Sequence, residues 1–144
     1  MSTAQSLGTA LVFVWLGMVL AISFIEAPLK FRAPHITIPL GLGIGRLVFR
    51  ALNSVEAVIA IALIAIAAAG GGWPTGATAG LGVAVGALVI QVAGVRPALS
   101  RRTDAVLADP DNVPEHRSTA HLWYVAFEVV KVAALVTAGV SLLS

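Results

Sequence analysis

Residues 7–25, LGTALVFVWLGMVLAISFI, decide what kind of protein this is. The run contains no charged side chain and supplies roughly 19 residues, close to the ~20 that an α-helix needs to cross a hydrocarbon core about 30 Å thick. Lipid offers the backbone no hydrogen-bond partners, so a single segment that enters it must be helical. Glu26 and Pro28 mark the predicted exit, which gives a first helix at about 7–26. The preceding residues carry no basic cluster of the kind found in a secretory leader, so this helix is expected to remain in the mature protein.

The same reading extends along the chain. Residues 28–41, PLKFRAPHITIPLG, hold three prolines and are predicted to form an irregular connection at the membrane interface. A second helix follows at about 45–69. The turn GGGWPTG at residues 70–76 leads into a third helix at about 75–95, which Arg96-Pro97 is expected to end. Residues 97–117 are polar and read as a connection, with a short surface helix around 99–107. A fourth helix occupies about 118–142, with Ser118 or Thr119 suited to cap it. The fold class is therefore all-α, an integral membrane four-helix bundle forming one domain over residues 1–144. Gly76 and Gly80, and likewise Gly82 and Gly86, have the four-residue spacing of small side chains that lets membrane helices approach closely.

Composition agrees. Of the 144 residues, 58% are hydrophobic and 11% charged, and mean hydropathy is +0.96. A soluble domain has about 25% charged residues, and one of this size could not bury so much apolar surface. The net charge of +2 is spread over short stretches between apolar segments and forms no dense basic surface, so nucleic acid is not an expected partner. The chain has no cysteine, which excludes disulfides, thiolate catalysis and cysteine-ligated clusters.

Charge distribution predicts orientation. Four crossings put both termini on one side, with the first and third connections on the other. Lys30, Arg32, Arg46, Arg50, Arg96, Arg101, Arg102 and Arg117 all lie near those two connections, leaving only Lys131 elsewhere. The positive-inside rule makes that side cytoplasmic and both termini non-cytoplasmic. The expected location is a multi-pass position in the cell membrane, the inner membrane where a cell has two.

Candidate site residues are the polar groups set within apolar helices, where a charge costs at least a few kcal/mol unless it meets protein, water or a ligand. Arg46, Arg50, Asn53 and Glu56 follow helical steps of four, three and three along one face of the second helix. Arg117, His121, Tyr124, Glu128 and Lys131 form a second stripe on the fourth. Glu26 ends the first helix, and Gln91 stands near the matching end of the third. Glu26, Asn53, Glu56, Gln91, His121, Tyr124, Glu128 and Lys131 are thus expected to converge between the bundle centre and its cytoplasmic mouth. Glu56 has no basic residue three or four positions away, so it either finds a more distant partner, with Lys131 or Arg50 as candidates, or is protonated. Glu128 and Lys131 are spaced to pair within one helix.

Further assignments follow from residue type. Gly41, Gly43 and Gly45 precede Arg46 and Arg50, and backbone donors at a helix start beside two guanidiniums suit a phosphate or carboxylate. Lys30 and Arg32 would enlarge this anion or lipid-headgroup site. Glu26, Glu56, His121 and Glu128 supply oxygen and imidazole ligands of a kind that suits iron, manganese or zinc, although the paired Glu-x-x-His motifs of di-iron bundles are absent. A haem on His121 would need His35 to fold inward as second ligand. The leading function is a small binding or transport protein whose buried carboxylates exchange a proton, metal or small anion with the cytoplasmic mouth. The alternatives are an accessory or assembly subunit of a larger membrane complex, and a membrane-embedded enzyme or metal or haem protein. Membrane lipids, and either a homo-oligomer or a larger complex, are the expected partners.

Overall fold

A computed structural model describes residues 1–113 and 119–144. Glu115, His116, Arg117 and Ser118, which the sequence assigns to the last connection, the fourth-helix stripe and its cap, lie outside the described residues. Four helices build the structure: α1 (Thr3–Arg32), α2 (Ile38–Gly70), α3 (Thr75–Ala108) and α4 (Thr119–Leu143), each long and apolar enough to cross a membrane. The chain is an all-α four-helix bundle of membrane-span-like helices.

Helices α1 to α3 run further than the sequence predicts, α1 and α3 for one physical reason. A proline inside an α-helix removes a hydrogen bond and collides with the preceding turn. Here each helix widens just upstream into a π-helical segment, Leu20–Glu26 before Pro28 and Gln91–Val95 before Pro97. The Ala27 N–H then reaches back five residues to the Ile22 carbonyl, and the Arg96 N–H to that of Gln91. Local π adjustment of this kind lets a membrane helix continue through proline. Helix α1 consequently runs on to Arg32, and α3 to Ala108. Arg96-Pro97 does not end the third helix, and the surface helix expected around 99–107 is its continuation. Helix α2 begins at Ile38 rather than near residue 45, because the Thr37 hydroxyl caps it by accepting from the Leu40 N–H at 3.2 Å, with Pro39 in the first turn where no donor is needed. The irregular connection shrinks to residues 33–37, where His35 takes a positive φ of 66°.

Small residues set the packing. Helix α4 is the centre of the bundle, lying closest against α3 and then α1, while α1 lies against α2. A Cβ at Gly80 would stand 2.6 Å from the Ala134 carbonyl oxygen, so this glycine lets α3 touch the backbone of α4. Gly76 faces the Ser141 side chain, whereas Gly82 and Gly86 look into open space. Only the first glycine pair serves the internal contact. Between the helices, Val12, Trp15, Leu63, Ala84, Leu135 and Ala138 are fully buried. Valines and isoleucines such as Val58 and Ile61 remain outside, as membrane helices allow, because lipid tails are as apolar as they are. The contacts of Gly8 with Trp73 and of Gly76 with Ser141 bring the N-terminus, the 71–74 turn and the C-terminus to one end. Residues 33–37 and the last turn of α3 occupy the other.

Candidate functional site

At mid-bundle the four helices converge on an ion triad. Lys131 on α4 has its Nζ 2.5 Å from Glu56 Oε2 on α2 and 2.5 Å from Glu128 Oε1 one turn earlier on its own helix. None of the three residues has any exposed surface. The cross-helix partner that Glu56 required is thus Lys131. The i,i+3 pairing within α4 is also present, and the two contacts share one ammonium.

Neutral donors complete the carboxylates. Trp15 on α1 donates its indole N–H to Glu56 Oε2 at 2.6 Å, and Asn53, three residues before Glu56 on the same face, donates to Oε1 at 2.9 Å. Gln91 on α3 donates to Glu128 Oε1 at 2.8 Å and to the Tyr124 carbonyl at 3.2 Å. The Ser23 hydroxyl on α1 donates to Glu128 Oε2. Asn53 also reaches the Tyr124 hydroxyl at 3.1 Å, and the Phe49 ring meets the Tyr124 ring edge-on at 5.4 Å. All four carboxylate oxygens therefore accept at least one hydrogen bond, and every helix contributes. Both π-helical segments take part, since Ser23 lies in one and Gln91 opens the other. A π turn offsets the side chains after it and is often found at functional positions.

The arrangement is rich in acceptors and short of protons. Two carboxylates share a single ammonium, a formal balance of minus one. Asn53 Oδ1 and Gln91 Oε1 are also buried and accept no hydrogen bond among the described residues. Arg96 on α3 is half-buried and in no ion pair among the described residues. Burying a charge without a matching partner is expensive, and low dielectric raises the stakes for each member of such a network. Two surface grooves, of about 510 Å³ beside Ile64, Trp73 and Leu81 and about 390 Å³ beside Leu40, Ile44 and Leu107, include no residue of the cluster in their walls.

Other candidates fall elsewhere. Glu26 lies beyond the triad toward the end of α1, with Lys30 Nζ 3.8 Å from its Oε2. Lys30 turns inward over Gly45 and lies 5.9 Å from the Phe49 ring centre. Arg46 pairs with Asp104 on the extended part of α3, while Arg32 and Arg50 are exposed. Two of these four basic residues thus have separate acidic partners. The glycine backbone expected to hold that anion lies inside α2, where the Gly41 N–H bonds to the Thr37 carbonyl at 2.9 Å and Gly41 receives the Phe31 ring. His121 is half-buried three residues before Tyr124, and His35 is exposed in the 33–37 connection rather than folded inward as the bis-histidine haem arrangement requires. Among the described residues no three His, Asp or Glu side chains come together as metal ligands, so Glu26, Glu56, His121 and Glu128 do not form the expected set.

Sequence reasoning missed Trp15 and Ser23. A tryptophan at mid-span rather than at an interface was the available signal, since a buried indole N–H calls for an acceptor. No family model, curated protein or solved structure matches this chain, so the site is read from its own chemistry.

Proposed function

We propose that this chain is a small membrane binding or transport protein whose cargo or coupling ion is a proton, held by the Glu56–Lys131–Glu128 triad. The observation that carries this reading is the sharing of one ammonium by two carboxylates at zero exposure. One proton on either carboxylate makes the triad neutral, and a proton needs no cavity. An anion would have to enter a site already formally negative. The membrane position supports a role for the group, because ionisable residues placed within a bilayer commonly mark proton and ion pathways.

The positive-inside rule supports a cytoplasmic position for the end that carries Lys30, Arg32, Arg46, Arg101 and Arg102, with both termini opposite. Four helices are few for a complete transport path, which favours self-association or a larger membrane complex as the working form.

The test is infrared spectroscopy of the protein in lipid across a pH series, with proton flux measured in proteoliposomes made from the same samples. The expected result is a protonated-carboxyl band that titrates in the wild type and changes in Glu56→Gln and Glu128→Gln, while Arg101→Ala, an exposed control, matches the wild type in band and flux. A spectrum with no titrating carboxyl contribution from either glutamate would refute the reading.

A further inference from the structure

The two halves of the bundle differ in a way that gives the proton a direction of approach. Toward the termini, the core above the triad is closed by Val12, Leu16, Leu63, Leu81, Leu135 and Leu142, all apolar and at most 9% exposed. Toward the 33–37 connection, α1 changes character. Its first part buries Gly8, Thr9, Val12, Trp15, Leu16 and Val19, but from Leu20 to Arg32 it buries no residue. Up to the triad α1 carries fully buried residues, and beyond it its residues are half-buried or exposed.

Polar side chains follow that more exposed stretch. Trp15, Ser23, Glu26 and Lys30 occur in order along α1, with Ser23 and Glu26 both inside the π-helical segment Leu20–Glu26. The Ser23 hydroxyl already touches Glu128. Glu26, three residues further on, straddles the boundary: its side chain is 38% exposed, yet its Oε2 is buried and accepts no hydrogen bond among the described residues. A carboxylate with one buried oxygen and an exposed remainder has the shape of a relay.

We infer that Glu26 is the proton relay between water at the 33–37 end and the buried triad, working through Ser23; this rests on the proton-binding reading above. Glu26 takes a proton from water and becomes a carboxylic acid. Ser23 passes its hydroxyl proton to Glu128 Oε2 and receives one at Oγ from Glu26, directly or across a water molecule. The net change is one proton moved from Glu26 to Glu128, with the serine regenerated and Glu26 again anionic. Among the described residues, the other charged or titratable groups toward this half are Lys30 and Arg32 on α1, His35 in the 33–37 connection, Arg46, Arg50 and Glu56 on α2, Arg96, Arg101, Arg102 and Asp104 on α3, and His121, Tyr124, Glu128 and Lys131 on α4. Of these, Lys30 faces Glu26 directly and holds it in place. In this conformation the triad exchanges protons with the 33–37 end alone.

Rapid-mixing infrared on vesicles containing protein of one fixed orientation tests this. The external pH is jumped, and both the rate and the final amplitude of the carboxyl band are followed for each orientation. The expected result is a fast response only when the 33–37 end faces outward. Glu26→Gln should slow that response by about 100-fold, the scale at which a positioned acid or base contributes, with the final amplitude unchanged, and Glu26→Asp should restore much of the rate. A purely structural role for Glu26 would alter amplitude or folding rather than rate at constant amplitude. Equal rates from both sides, or a Glu26→Gln rate equal to the wild type with full amplitude, would overturn the relay while leaving the triad's proton binding intact. Loss of the band in the wild type would instead overturn the proton-binding reading, and the relay with it.

Discussion

Replacing Lys131 by methionine removes the one cation that two buried carboxylates share. Its Nζ lies 2.5 Å from an oxygen of each, and all three residues are fully buried, so no water replaces the lost ammonium without reopening the bundle. Removing one partner of a buried ion pair costs about 3–5 kcal/mol. Since each factor of ten is worth about 1.4 kcal/mol, the expected fall in the folding equilibrium constant is roughly two to three and a half orders of magnitude. The two contacts do not count twice, because they share one side chain and couple strongly. Reversible unfolding in lipid bicelles at neutral pH measures the change. The triple variant Glu56→Gln, Glu128→Gln, Lys131→Met removes the charges together and keeps amide groups facing Trp15, Asn53, Gln91 and Ser23. It should recover most of the loss, since replacing a whole buried ion cluster is often neutral or better. The reasoning fails if Lys131→Met stays within about 1 kcal/mol of the wild type, or if the triple variant is no more stable than the single one.

Three other outcomes are expected from the same unfolding measurement. Trp15→Phe deletes the 2.6 Å hydrogen bond to Glu56 and should cost about 1.5–3 kcal/mol, the range for a bond to a charged group. Gly80→Ala drives a methyl against the α4 backbone and should cost about 1–3 kcal/mol, while Gly82→Ala, with nothing within 4 Å, should change stability by less than about 0.5 kcal/mol. Arg46→Ala and Asp104→Ala break only a solvent-exposed pair and should each cost less than about 1 kcal/mol, falling further as salt is added.

The helices and the central residues were legible for different reasons. Uncharged runs such as 7–25 announce a membrane span by length alone, and the 3.6-residue repeat placed Asn53 and Glu56, and Tyr124, Glu128 and Lys131, on inward faces. That Glu56 needed a partner from elsewhere followed from what its own turns lacked, with Lys131 one of two candidates, and the structure selects it. The far ends of α1 and α3 were not legible, because the rule that proline stops a helix assumes an α-register, and the π turns before Pro28 and Pro97 escape it, whereas the ends at Gly70, Thr75 and Leu143 fall within a residue of the reading. Nor was the fate of Lys30, Arg32, Arg46 and Arg50. Four basic residues near one connection look like one site, but long side chains choose partners locally: Lys30 turned to Glu26 and Arg46 to Asp104. Glu26 was grouped with the triad by its end of the helix, and only the burial of one of its oxygens separates its role.

The distribution of the triad over the chain bears on how the protein is made. Helix α4 is electrically self-sufficient, carrying Glu128 and Lys131 one turn apart, whereas α2 brings Glu56 alone. During synthesis the first three helices leave the ribosome with that carboxylate unmatched, and its ammonium arrives last. A chain that has not yet added α4 therefore holds the Glu56 carboxylate without its ammonium. Nascent chains arrested before residue 119 should consequently be cleared by membrane proteases faster than completed ones, and Glu56→Gln should narrow the difference; equal lifetimes with and without the glutamate would remove this account of quality control.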